Sequence, residues 1–178
     1  MSMFSPAKRL ILGLSVILAT SAAVAGEKAG VDAKAAFARM KTLAGDWKVA
    51  ESMPGHGVGH DGKIVYKVTA NGSALMETFF PGLDHEMISM YHLDGDDLRL
   101  THYCAAKNQP RMKLDREAST PDHLIFVFDG GTGFDPAKDM HIHSGEINFL
   151  EGGKVQAIWD AHMKGKKAMS SKFSMSRP

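Results

Sequence analysis

The sequence predicts an all-β fold, an antiparallel up-and-down β-barrel of about ten strands preceded by one short N-terminal helix. Three observations support this prediction. From Asp46 onward the chain consists of short segments in which apolar and polar residues alternate, turn dipeptides separate these segments, and no helical crossover interrupts them. Strands that follow one another through short turns pair antiparallel, and closing them into a barrel leaves no unpaired edge.

Composition restricts the protein to one ordinary domain and excludes several kinds of site. The chain has 178 residues, 44% of them hydrophobic, and its formal net charge of +1 gives no electrostatic reason to expect nucleic acid as a partner. A single Cys excludes a disulfide scaffold, a four-Cys zinc ribbon and a CxxC redox site. The unusual part of the composition is its twelve Met and nine His.

Residues 1–25 have the pattern of a secretory signal peptide. The basic pair Lys8-Arg9 precedes the short apolar segment Leu10–Thr20, and Ala23–Ala25 supplies the small residues that signal peptidase requires. The apolar run is shorter than the roughly 20 residues of a spanning helix, which argues against an uncleaved anchor. We therefore predict a periplasmic or secreted protein with one barrel domain over 26–178, no membrane span after processing, and a buried thiol.

The predicted helix begins after Asp32, whose side chain can cap it, and Gly45 ends it. Its apolar residues fall near one face at helical spacing: Ala33, Phe37, Met40 and Ala44. Strands are expected at 46–52, 62–69, 73–80, 85–93, 97–105, 111–117, 123–129, 140–150, 154–163 and 167–176. Tight turns are expected at Asn71-Gly72, Asp94-Gly95 and Gly152-Gly153, and a longer loop follows Asp129.

The first two turns predict which side chains face the barrel interior, because directly opposed residues of a hairpin share a face. Around Asn71-Gly72 the inward pairs are Val68 with Leu75, Tyr66 with Glu77, and Ile64 with Phe79. Around Asp94-Gly95 they are Tyr91 with Leu98, Ser89 with Leu100, Met87 with His102, and His85 with Cys104. A four-residue loop would shift the register of the second set of pairs by two residues and leave the same residues facing inward.

The third turn predicts which face of the sheet a second group of histidines occupies. A two-residue loop at Gly152-Gly153 gives this hairpin two faces, and the more apolar face is expected to point inward. That face carries Glu146, Asn148, Leu150, Val155, Ala157 and Trp159. The two-residue loop places a second set outward: His141, His143, Asp160 and His162. A loop with an odd number of residues would reverse this assignment.

The inner group of His85, Met87, His102 and Cys104 contains ligand types of a soft metal site, so copper, zinc, or haem held by one His is an alternative to a mixed interior lining. Surface metal handling by Met53, His56 and His60 or by the segment 140–143 is a further hypothesis. An interior Glu77 beside Tyr66 could also act as an acid or base. The sequence shows no arrangement of a nucleophile, a base and an orienting residue that would identify a reaction.

The segment Leu43–Trp47 is similar to the G-x-W signature of calycins, the group of lipocalins and fatty-acid-binding proteins. This resemblance implies that Trp47 packs at the closed end of the barrel beneath a basic residue near the last strand. Arg177 follows the last predicted strand and is the candidate for that basic residue. The second lipocalin motif, T-D-Y, is absent, and ten strands resemble the fatty-acid-binding or nitrobindin-like branch. Nitrobindin-like relatives hold haem through a His near the last strands, and the nearest here is His162, on the predicted outer face.

From about Phe37 to its C-terminus the chain also resembles secreted bacterial lipocalin-like proteins of unassigned function. The resemblance is carried by Gly72–Gly82, His85–Met87 and Leu100–Lys113, and it implies a barrel and bacterial export without implying an activity.

The function favoured by these observations is binding of a small apolar or amphiphilic molecule inside the barrel. The polar residues expected at the ligand are Tyr66, Glu77, His85, Tyr91, His102, Cys104 and Trp159. Leu75, Phe79 and Leu100 would supply apolar wall. Asn108, Gln109 and Arg111 would form a polar rim where Arg111 can pair with a ligand carboxylate. A metal- or haem-binding protein and an enzyme of unknown reaction are the alternatives.

Overall fold

A computed structural model describes residues 30–51 and 62–178, together with Met1, and within them the predicted ten-stranded antiparallel barrel is confirmed. Each strand pairs with the next along the chain, and the first pairs with the last to close the barrel. The elements are α1 (Ala33–Lys41), β1 (Gly45–Glu51), β2 (Gly62–Thr69), β3 (Ala74–Phe79), β4 (Met87–Asp94), β5 (Asp97–Tyr103), β6 (Gln109–Leu114), β7 (His123–Thr132), β8 (His141–Phe149), β9 (Val155–Met163) and β10 (Lys166–Ser176). The predicted signal segment beyond Met1, and the loop with Met53, His56 and His60, lie outside the described residues.

The helix α1 covers one end of the barrel, which we call the closed end. Asp32 accepts a hydrogen bond of 2.8 Å from the backbone N–H of Ala35 and so caps the helix as predicted. Ala33, Ala36, Phe37 and Met40 are buried, whereas Ala44 lies beyond the helix and is exposed. Within the described ranges no helix is long and apolar enough to cross a bilayer.

Trp47 and Arg177 close the barrel beside α1, as the resemblance implied. The indole Nε1–H of Trp47 donates to the carbonyl of Leu43 at 2.7 Å, and the guanidinium carbon of Arg177 lies 4.1 Å from the centre of the indole ring. The same guanidinium donates to the carbonyl of Thr42 at 3.2 Å. A Cβ on Gly45 would lie 2.6 Å from that guanidinium, and Gly45 has φ +117°, so glycine is required there.

We expect Arg177→Ala to lower the free energy of unfolding by about 1 kcal/mol, through loss of the cation–π contact and of the packing over Trp47. Arg177→Lys should recover part of this loss. Urea denaturation followed by circular dichroism is the measurement, with Lys172→Ala, an exposed change on β10, as the matched control. Equal midpoints for Arg177→Ala and the control would contradict the closing role.

The register of the first predicted hairpin is confirmed: Val68 pairs with Leu75, Tyr66 with Glu77 and Ile64 with Phe79. The turn between β2 and β3 places Asn71 at φ 52° and Gly72 at φ 85°, the left-handed backbone conformation that this dipeptide favours.

In the second hairpin the predicted pairs are wrong by two residues and the predicted faces are right. Tyr91 pairs with Leu100 and Ser89 with His102, because Asp94 pairs with Asp97 and the turn is Gly95-Asp96. In this register Arg99 forms an ion pair of 3.0 Å across the hairpin with Asp94. β4 consequently begins at Met87, and His85 precedes it.

In the third hairpin two departures from the prediction cancel. The connection is a three-residue 3₁₀ turn, Glu151–Gly153, instead of the two-residue loop expected. Gly145, Ile147 and Phe149 therefore pair with the inward residues of β9. The predicted inward positions of Glu146, Asn148 and Leu150 are wrong. A register shift between Ile142 and Ser144 then reverses the alternation again. His162 lies on the outer face as predicted and pairs with His141, which is 1% exposed, while Ile142 pairs with the inward Ala161.

Candidate functional site

A pocket of about 300 Å³ opens at the end of the barrel opposite α1, which we call the open end. Apolar and sulfur-containing side chains make most of its wall: Phe80, Met87, Cys104, Ala105, Ala106, Met140, Ile142, Ala161 and Met169. His85, His141 and Ser171 complete the lining. A concave, largely apolar cavity of this size is at the lower end of the range for small-molecule sites.

A smaller void of about 30 Å³, which we call the inner void, lies beside this outer pocket, and Met87, Ile142 and Ser171 line both cavities. The deeper residues are aromatic: Phe79, His102, Trp159 and Phe173. A volume of this order holds one water molecule or one functional group of a ligand. The two cavities are therefore neighbours with largely apolar linings.

His102 and Trp159 stack in this inner void. Their ring centres are 6.5 Å apart with an angle of 19° between the planes, and Phe79 meets both rings edge-on. Gly145, the cross-strand neighbour of Trp159, makes room for the indole, because a Cβ there would lie 2.2 Å from it. His102 and Trp159 are each only 5% exposed, and neither His102 Nε2 nor Trp159 Nε1 has a hydrogen-bond partner in the part of the chain that the structure describes.

A hydrogen-bonded group centred on Glu77 lies deeper in the barrel. The carboxylate accepts hydrogen bonds from the hydroxyls of Tyr66 and Tyr91, the latter at 2.6 Å, and from that of Ser89. Burial raises the pKa of Glu77 from 4.5 to about 7, although the three hydroxyls favour the charged form. Ser89 Oγ lies 3.0 Å from His102 Nδ1, so hydrogen bonds connect Glu77 to the inner void. Burial lowers the pKa of His102 from 6.5 to about 4, which keeps the ring neutral at neutral pH.

The structure divides the interior residues expected from the sequence into three levels. Tyr66, Glu77 and Tyr91 are fully buried in the filled part of the barrel and do not belong to the lining of either cavity. His102 and Trp159 line the inner void.

His85 and Cys104 line the outer pocket, and Cys104 Sγ is 4.0 Å from Met87 Sδ. The expected single group of His85, Met87, His102 and Cys104 is therefore spread over two cavities. Cys104 is half-buried rather than buried, and burial raises the pKa of its thiol.

The three residues expected at the rim lie near the open end without lining the pocket. The side-chain amide of Asn108 donates to the carbonyl of Met140 at 2.8 Å and so joins two loops of the open end. Gln109 accepts from the Thr132 hydroxyl at 3.0 Å. Arg111 is exposed and lines a polar groove outside the barrel with Arg99 and Asp129.

A second histidine group lies beside the pocket at the open end. His141 Nε2 is 3.0 Å from His143 Nδ1, and the rings of His143 and His162 stack with centres 3.8 Å apart. Phe134 stacks on His141, which is only 1% exposed and also lines the outer pocket. Among the described residues, no three His, Cys, Asp or Glu side chains are arranged to hold a metal ion.

The sequence predictions missed most of the pocket wall. Met140, Ala161, Met169 and Ser171 were not expected at a ligand, and Ser89 was placed inward without a role. The alternation of Ser171, Phe173 and Met175 along β10 was the available signal for Ser171.

Comparison with protein-family models gives no match for this chain, and a search among curated proteins gives none either.

Proposed function

We propose that this barrel binds a small apolar or amphiphilic molecule in the outer pocket, with one end of the molecule in the inner void. The observation that carries the proposal is a largely apolar cavity of about 300 Å³ at the open end, beside a smaller void lined by His102 and Trp159. Ligand sites combine an apolar wall with a few placed polar groups, and burying apolar ligand surface contributes about 25 cal/mol per Å². The resemblance to calycins supports this interpretation.

The described part of the barrel favours entry from the open end. Tyr66, Tyr91 and Phe126 fill the interior toward α1, where Trp47 and Arg177 close the barrel. The pocket wall, in contrast, comes from the ends of β4, β8, β9 and β10 and the loops around Cys104 and Met140.

Ala161→Leu tests this proposal, because Ala161 is inward-facing, 4% exposed and part of the pocket wall. The added atoms should fill the pocket and weaken octanol binding about tenfold or more in isothermal titration calorimetry. Ala168→Leu, an exposed change on β10, is the matched control and should bind octanol like the unmodified protein. No binding by any of the three, or equal binding by all three, contradicts the proposal.

We also propose, on the signal-like pattern of residues 1–25, that the barrel works in the periplasm or the medium. Native mass spectrometry of protein recovered from that compartment should show a chain that lacks these residues and carries a small organic molecule. Recovery of the intact chain only, from the cytoplasm, contradicts export.

A further inference from the structure

Sulfur atoms are concentrated in the wall of the outer pocket. Four of its lining residues carry sulfur, and two carry an imidazole: Met87, Cys104, Met140 and Met169, with His85 and His141. Among the described residues, no Asp, Glu, Lys or Arg lines this pocket. The side chains that face it therefore carry the donors that soft metal ions prefer, a thiol and thioethers, together with imidazoles.

Two of these sulfur atoms are close enough to hold one ion. The Sγ atom of Cys104 lies 4.0 Å from the Sδ atom of Met87, and the thiol donates a weak hydrogen bond to the thioether. Both residues are half-buried and both line the pocket. Two metal–sulfur bonds of about 2.3 Å span this separation when the angle at the metal is about 120°. That angle is the angle of a three-coordinate ion, which leaves one further position open.

We propose that the outer pocket binds a soft monovalent cation, Cu⁺, between the thiolate of Cys104 and the thioether of Met87. On binding, the thiol releases its proton to solvent, a sulfur–copper bond forms, and no atom changes its oxidation state. One cation replaces one proton, so the net charge of the largely apolar pocket does not change. The third position is filled by another donor of the same wall: His85, Met140 or Met169. This inference goes beyond the proposed function and does not depend on it.

Other cations fit the pocket less well. Zn²⁺ in place of the thiol proton leaves a positive charge uncompensated, and an apolar environment disfavours an unpaired charge. Mg²⁺ and Ca²⁺ require oxygen ligands, and no carboxylate from the part of the chain that the structure describes lines the pocket. Since the described residues contain no metal-binding group of three His, Cys, Asp or Glu, a site here requires thioether ligands. Thiolate and thioether together favour Cu⁺.

The test is a competition titration of the full-length or processed protein against bicinchoninate, a coloured Cu⁺ chelator, with ascorbate as reductant and without oxygen. Met87→Leu keeps the size and apolar character of the side chain and removes its sulfur, so Cu⁺ affinity should fall about tenfold or more. Cys104→Ser should reduce it further. Met90→Leu is the matched control and should leave it unchanged, because Met90 is half-buried on the same strand, pairs with Met76 and Thr101, and lies outside the pocket wall.

Three results of the titration contradict the inference. The first is the absence of Cu⁺ binding, and the second is Zn²⁺ binding that is tighter than Cu⁺ binding. The third is equal Cu⁺ affinity of Met87→Leu and the unmodified protein, which means that the thiol or a distant group binds copper without the thioether. Octanol binding by the metal-free protein tests only the proposed function, so either proposal can fail while the other stands.

X-ray absorption at the copper edge provides a readout that does not depend on whether the variants fold. The unmodified protein loaded with one Cu⁺ per chain should show at least two sulfur neighbours of copper at about 2.3 Å. Fewer than two sulfur neighbours overturns the assignment to Cys104 and Met87.

Discussion

Glu77→Leu is expected to lower the free energy of unfolding by about 4 kcal/mol, a large loss for a single substitution. The carboxylate is the acceptor for the fully buried hydroxyls of Tyr66 and Tyr91 and also for Ser89. Leucine leaves these hydroxyls without an acceptor, and each buried unpaired polar group costs about 1–3 kcal/mol. Urea denaturation followed by circular dichroism measures the loss.

Two comparisons distinguish lost hydrogen bonds from altered packing. Glu77→Gln keeps an oxygen acceptor in nearly the same volume and should cost about 1 kcal/mol at about pH 4.5, where Glu77 is protonated in the folded protein. Adding Tyr66→Phe and Tyr91→Phe to Glu77→Leu removes the stranded hydroxyls and should recover much of the stability. Glu77→Leu and Glu77→Gln proteins of equal stability would contradict a structural role for these hydrogen bonds.

The sequence predicted the barrel because its turn chemistry is local. Asn71-Gly72 accepts positive φ at both central positions, so one register satisfies that hairpin. The segment Asp94–Asp97 can place Gly95 at either central position of a two-residue turn, so this dipeptide does not specify the register, and the cross-strand ion pair of Arg99 with Asp94 belongs to only one of the two. Such contacts form only when the strands are in place.

The site was predictable only to the extent that it follows from strand alternation. The alternation of inward- and outward-facing residues along each strand was sufficient to place five polar residues inside the barrel: Tyr66, Glu77, Ser89, Tyr91 and His102. It could not place the pocket wall, because Met140 reaches the pocket through a loop.

Alternation also could not reveal the register shift beside His143, since a bulge changes the faces without leaving a pattern in the sequence. A cavity is the volume that packing leaves unfilled, and neither periodicity nor composition specifies it.

The second large effect expected is on the pH dependence of stability, where Glu77 and His102 act in opposite directions. The pKa of Glu77 rises from 4.5 to about 7 on folding, so its contribution is full below about pH 4.5 and is lost as the pH rises to about 7. The pKa of His102 falls from 6.5 to about 4, so its contribution is present above pH 6.5 and is lost as the pH falls to about 4. Between pH 4.5 and 6.5 the two slopes cancel.

Glu77→Gln should uncover the slope that His102 produces. Because glutamine does not titrate, the stability of this variant should increase relative to the unmodified protein by about 3 kcal/mol between pH 4.5 and 7, at 1.36 kcal/mol per pKa unit. Surface groups titrate alike in both proteins and cancel in the difference. Urea denaturation across this range gives the two curves, and His102→Phe should change the difference in the opposite sense, with stability lost as the pH rises. Parallel curves for Glu77→Gln and the unmodified protein would mean that Glu77 ionises as readily in the fold as in the unfolded chain.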